Sequence, residues 1–318
     1  MQTYLKTRSS WVQLFLFLGM AFGIFIVLSL IGMSILSAIT GINMLEIQRI
    51  DEWDPNNPRM IFYIRGLLLI QFLGLFVIPS LLFSYFSDPQ PLHYAGLRRP
   101  YKNRYWVLGI VTMLVALPAA EYLGLLNQQM SLGAETQSWM KSREEEAAKQ
   151  IQFMLSRHTV SELLLNTLFI AVFAGVGEEL FFRGILQRIF IRAFKSPWAG
   201  IVVTAILFSA FHFQFFGFLP RVLLGIVLGA IYWYSGSLWT AIFAHFFYDA
   251  LIIVVAYFNP EMLKNPEATL VDPARLTIAG IISIALTVLL ILQMKRSSSA
   301  SYAEEFKDDK PKDDIFTF

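Results

Sequence analysis

GVGEELFFRG, residues Gly175 to Gly184, puts Glu178, Glu179 and Arg183 inside a run that otherwise belongs in lipid. A charge at the centre of a spanning helix costs roughly 2.5–3.5 kcal/mol on insertion scales, so three together need a reason. Either the charges end a helix at the membrane surface, or they build a site within the bilayer. The apolar stretch runs on to about residue 192 on one side and back to about 162 on the other, which favours the second reading.

The same pattern recurs along the chain. Of 318 residues, 56% are hydrophobic and only 15% charged, with 29 Phe and a mean hydropathy of +0.57. Repeated apolar runs of about twenty residues, each able to cross roughly 30 Å of hydrocarbon, give the class: all-α, a polytopic membrane helix bundle of about eight transmembrane helices. The short alternating segments of a β-barrel are not seen. With no cysteine, disulfides, thiolate zinc sites and cysteine nucleophiles are excluded. The net charge of +2 is spread over loops without a basic stripe, so nucleic acid is not an expected partner.

Hydropathy places spans near 11–40, 60–86, 104–126, 162–192, 198–217, 219–235, 237–258 and 275–294. The first is about twice as long as a signal-peptide core, so it reads as an uncleaved span. LRRPYKNR carries Arg98, Arg99, Lys102 and Arg104, and the junction after the fourth span carries Arg188, Arg192 and Lys195. These loops, with Lys6, Arg8, Lys295 and Arg296, place both termini in the cytoplasm of a cell (inner) membrane by the positive-inside rule. Five regions follow: N-terminal spans (1–126), a polar connection (127–161), a core (162–260), a last loop and span (261–294), and a tail (295–318) that reads as disordered. KSREEEAAKQ in the connection reads as an exposed helix, with Glu145 and Lys149 spaced to pair.

Polar residues recur at one depth on three helices. His212 in the fifth span, and His245 with Asp249 in the seventh, lie within about four residues of their span midpoints, as do Glu178 and Glu179. At about 1.5 Å per residue this is a height difference of about 6 Å. Glu179 and Arg183 stand i,i+4, acid before base, and can pair along the helix. Glu178 points elsewhere and is left available. His245 and Asp249 also share a face, so the carboxylate could fix the imidazole's tautomer. Phe208 lies one turn before His212 as an apolar wall. Such a set can hydrolyse a bond with an activated water: Glu178 as general base, His245 and Asp249 holding the water, His212 on the developing oxyanion. Two imidazoles and two carboxylates are also a zinc ligand set.

EExxxR (Glu178, Glu179, Arg183), FxxxH (Phe208, His212) and HxxxD (His245, Asp249), in this order on separate helices, resemble the three motifs of the CPBP family. These are the CAAX prenyl proteases and bacteriocin-processing enzymes, or Abi proteins, with the Rce1-type endopeptidases among them. The resemblance covers roughly residues 160–260. It implies a bundle of about eight helices around a cavity open to the cytoplasm and to lipid. It makes Glu178 the water-activating glutamate, His212 and His245 the catalytic histidines, and Glu179 and Arg183 their supporting pair. Eukaryotic-type members usually have Asn where this chain has Asp249, and the added charge beside Glu178 reopens the question of a bound cation.

The expectation is an intramembrane endopeptidase acting on a membrane-associated, CAAX-like or otherwise lipidated peptide or protein. No cofactor is favoured, and zinc on Glu178, His212, His245 and Asp249 is the alternative. The rival functions are a non-catalytic peptide-binding or bacteriocin-immunity protein, against which the complete motif set argues, and a proton-coupled transporter, against which the missing inverted repeat argues. His93 and His158 read as surface residues, Arg65 as snorkelling to the interface, and Gly225 with Gly229 as a helix-packing face.

Overall fold

The computed structural model describes residues 4–130, 133–261 and 272–307. Its elements are helices: α1 (Ser10–Thr40), α2 (Pro58–Ser87), α3 (Arg104–Gln128), α4 (Ala134–Met154), α5 (Val160–Phe194), α6 (Pro197–Ala210), α7 (Phe218–Ser235), α8 (Leu238–Phe258), α9 (Pro273–Ser297) and a last turn, α10 (Tyr302–Glu305). Among the described residues seven are long and apolar enough to cross a membrane: α1, α2, α3, α5, α7, α8 and α9. The chain is a multi-pass membrane protein.

The fifth expected span, 198–217, does not form as one helix. Helix α6 stops at Ala210 after 14 residues, about 21 Å against the roughly 30 Å of a hydrocarbon core. Residues 211–217 are irregular, and Phe213 takes a positive φ of 53°, rare for a bulky side chain and concentrated at functional sites. The periodicity of FHFQFFGF is too apolar to show this break.

Long helices bend where the sequence removes a donor. Pro118 follows the break between Arg104–Val115 and Leu117–Gln128 in α3, and in α2 a π-helical stretch, Phe72–Val77, comes just before Pro79. Helix α5 is π-helical over Thr167–Val172 and again over Ala174–Gln187, the segment with the first motif. Such widened turns recur at functional sites.

Helix α5 runs through the middle of the bundle, packed against α2, α6 and α8. Its Gly175 allows the approach to α8: a Cβ there would lie 3.2 Å from the Ile242 carbonyl oxygen. Gly225 and Gly229 of α7 meet Ala205 and Ile201 of α6, as their spacing predicts, and they also leave room for Arg183 and Gln187 of α5. Arg183 donates to the Gly225 carbonyl at 3.3 Å and Gln187 to that of Gly229 at 3.1 Å. One apolar cluster joins α3, α7, α8 and α9, and a second, rich in Phe, joins α1, α2 and α5.

Other expectations are revised. Arg65 does not snorkel: it pairs with Glu162 and donates to Asn166 Oδ1 at 3.1 Å, tying α2 to α5. Lys149 bonds Asp51 at 2.5 Å instead of Glu145, because α4 lies against the connection between α1 and α2. The start of the tail is ordered on the bundle. Glu305 bonds Arg188 and Arg98, both at 2.7 Å, and Phe306 packs on the Arg188 guanidinium. Composition alone conceals this, since the anchoring arginines lie far away in sequence. The acidic stretch beyond Lys307 lies outside the described residues, as does most of the loop before α9.

Candidate active site

Glu179 is completely buried, and its Oε1 accepts from Arg183 Nη1 at 2.6 Å and His245 Nδ1 at 2.9 Å. The Glu179–Arg183 pair therefore forms as its spacing predicts, but the same oxygen also orients a histidine 66 residues away. No local periodicity signals that contact. Asp249, the partner suggested by spacing, lies on the other side of the ring, with Oδ2 3.4 Å from Nε2. The imidazole of His245 is thus held between two carboxylates, one on α5 and one on its own helix.

Phe208 is more than a wall. The Arg183 guanidinium carbon lies 4.4 Å from the centre of its ring, and the rings of His212 and His245 meet it edge-on at 4.9 and 6.2 Å. One aromatic ring spaces all three cationic or potentially cationic groups. His212 Nδ1 lies 2.8 Å from the Phe208 carbonyl oxygen. That carbonyl is free because the His212 amide bonds Ser209 instead, so the side chain caps the end of its own helix. A carbonyl only accepts, which puts the proton on Nδ1 and leaves Nε2 as the working atom. A neutral His212 accepts through Nε2; it donates to an oxyanion only after taking up a proton. The oxyanion role inferred from sequence thus carries a condition that the spacing did not show.

Glu178 contrasts with its neighbour. It is half-buried and, among the described residues, makes no side-chain hydrogen bond or ion pair, while lying in electrostatic range of His245 and Arg221. Arg221 was not singled out from the sequence. It stands on the first turn of α7, bonded to the Gln214 carbonyl at 2.9 Å and to the Gln214 side chain, and Gly217 leaves it room. Asn127 donates to the Phe215 carbonyl at 2.6 Å and accepts from the Leu219 amide at 2.8 Å, pinning the loop after His212 to the end of α3.

Among the described residues no three His, Asp or Glu side chains are grouped so that they could hold a metal ion. His212 and His245 each engage Nδ1, with a carbonyl and with Glu179, and keep Nε2 open.

His93 and His158 stand apart from this cluster, against Arg98 and Tyr257. The cluster itself falls within residues 160–251, which match the model of a family described as type II CAAX prenyl endopeptidase Rce1-like. This region is similar to that family. The matched span begins with α5 and includes all three motifs, so the resemblance drawn from them holds over the helices that build the site. YpbD of Bacillus subtilis (strain 168), an uncharacterized protein, is 29% identical over 102 residues, 31% of this chain and 47% of that protein. The match spans about half the length of that relative. No solved structure matches.

Proposed function

We propose that the protein is an intramembrane endopeptidase in which Glu178 activates water to hydrolyse a peptide bond of a membrane-associated substrate. The observation that carries this reading is the difference between adjacent carboxylates: Glu179 is locked to Arg183 and His245, while Glu178 is free beside them. A general base must reach a water, and of the two adjacent carboxylates it is Glu178 that has both oxygens uncommitted among the described residues.

Glu178 takes a proton from the attacking water as the oxygen–carbon bond forms, and passes it to the leaving amine when the carbon–nitrogen bond breaks. His212, with its proton on Nδ1, holds the water through Nε2 while neutral. His245, fixed by Glu179 through Nδ1, presents Nε2 on the Asp249 side. The Glu179–Arg183 pair positions this ring and does not touch substrate. No step requires a metal.

Membrane peptides from cells producing wild type or Glu178→Gln at equal levels provide the test. The variant should remain folded and inserted, and uncut substrate should accumulate with a cleavage rate lower by roughly 10²–10⁴-fold, the usual worth of a general base. Normal cleavage by folded Glu178→Gln would remove the base from the mechanism. Chelator treatment of the purified protein should leave cleavage unchanged, and a loss restored by zinc would reject the metal-free step.

A further inference from the structure

Away from the Glu178 cluster, the outer surface of the bundle is hollowed where α1 packs on α2. Leu5, Phe15, Leu16, Gly19, Phe83 and Phe86 line a groove of about 390 Å³ there, a volume within the usual range of ligand sites. Its wall is hydrocarbon and aromatic apart from the hydroxyl of Tyr4. The sequence makes the hollow at Gly19, which lies on the exposed face of α1 and where an added Cβ would meet nothing within 4 Å. Phe83 is the floor: it is wholly buried and packs on Phe17 with ring centres 5.2 Å apart. Phe15 and Phe86 stay exposed beside it.

The groove has a definite depth. Gly19 lies about 14 Å along α1 from Ser10 at 1.5 Å per residue, about half of the roughly 30 Å hydrocarbon core. Tyr4 and Leu5 precede the first turn of that helix. The groove therefore spans one leaflet, at the end of the bundle that carries Lys6 and Arg8, the LRRPYKNR loop, Lys195, and Lys295 with Arg296.

Its entrance is held in place. The Leu5 amide donates to the Phe86 carbonyl at 3.2 Å, Lys6 Nζ bonds Asp88 at 2.8 Å, and Arg192 donates to the Lys6 carbonyl at 2.8 Å. These bonds fasten the turn before α1 to both α2 and α5. Asp88 balances the charge of Lys6, whereas the exposed Arg8 makes no ion pair with any described residue. Its guanidinium carbon lies 4.3 Å from the centre of the Tyr4 ring, so an unbalanced cation stands at the mouth of an apolar groove one leaflet deep.

We infer that this groove is a lipid site, taking one acyl chain of an anionic phospholipid from the leaflet at the basic end with the headgroup phosphate on Arg8. The chain moves from one apolar medium to another, so the groove supplies shape and van der Waals contact, and Arg8 supplies the preference for charge. An isoprenoid chain fits the wall but offers Arg8 nothing. The site stands apart from the catalytic reading and does not rest on it.

Native mass spectrometry of the full chain, equilibrated in detergent with phosphatidylglycerol or with phosphatidylcholine of the same chains, tests this. Wild type should retain one phosphatidylglycerol and bind it about fivefold more tightly than phosphatidylcholine, the worth of one basic residue near an anionic surface. Arg8→Gln should retain the two lipids equally. Gly19→Leu fills the groove where added atoms meet open space, and should lose the lipid whatever its headgroup while the thermal midpoint stays unchanged. If that variant fails to fold, Phe15→Ala removes an exposed part of the wall and should lower retention instead. Leu30→Phe, also exposed on α1 but outside the groove, should behave as wild type. Equal retention of the two lipids by wild type would overturn the inference, as would retention that survives the groove variants or falls as far in Leu30→Phe. Displacement of the phosphatidylglycerol by farnesol at equal concentration would assign the groove to an isoprenoid chain and overturn it as well.

Discussion

Glu305 and Glu179 each bind two basic groups, and they do it differently. At the basic end, Glu305 gives one oxygen to each arginine, Oε1 to Arg188 and Oε2 to Arg98. In the centre, Glu179 gives a single oxygen to both Arg183 and His245, and its buried Oε2 has no partner among the described residues. The first arrangement satisfies charge and staples a tail. The second leaves capacity unspent where burial makes that costly, and such under-satisfied groups gather at functional sites.

Removing Arg183 should give the largest effect on stability. Arg183→Ala leaves the buried Glu179 with His245 alone and frees the Gly225 carbonyl, and breaking a buried pair from one side costs about 3–5 kcal/mol. Thermal unfolding in detergent checks this. Arg183→Lys sharpens it, since it keeps the charge but not the fork that reaches both Glu179 and Gly225. A loss in Arg183→Ala no greater than that from removing Glu305 would erase the distinction between the two clusters.

A smaller effect is expected at the packing beneath the pair. A Cβ on Gly225 would lie 2.9 Å from the Cβ of Ala205 and 3.1 Å from its Cα, so backbone must move. Gly225→Ala should cost about 1–3 kcal/mol through overpacking. It should also lower cleavage, because the displaced α7 carries the carbonyl that steadies Arg183. Unfolding and cleavage measured on one preparation separate these effects: lost stability with unchanged cleavage would detach Gly225 from the site.

The contrast also explains what could be read in the sequence. Apolar runs, polar residues at matching depth and i,i+4 spacing are local, and they give the helix bundle, the Glu179–Arg183 pair and the Gly225/Gly229 face. The contacts that complete the site are not local. His245 reaches Glu179 across 66 residues, Arg188 reaches Glu305 across 117, and Trp139 covers Phe215 from a helix whose composition reads as plain solvated surface. Helix α6 was misread for another reason: a Phe-rich loop and a Phe-rich helix have the same hydropathy, and only Phe213's backbone angle separates them.

The smallest effect should come from the staple. Glu305→Gln keeps the shape of the side chain but removes its charge from Arg98 and Arg188, in a site still partly open to solvent, so a loss of about 1 kcal/mol is expected. Its pH dependence tells a charge role from a packing role. Burial pushes the Glu305 carboxyl up, but Arg188 and Arg98 outweigh it and hold the group below its ordinary range. With a depressed folded-state value, the stabilisation is fully present above the ordinary carboxylate pKa and disappears as pH falls through the folded one. The stability difference between wild type and Glu305→Gln should therefore be constant near neutrality and shrink in acid. His93 senses the Glu305 charge, so the same comparison in a His93→Gln background isolates Glu305. A gap that persisted unchanged into acid would mean that α10 is held by Phe306 and shape instead of charge, and the two clusters would then differ in kind as well as in strength.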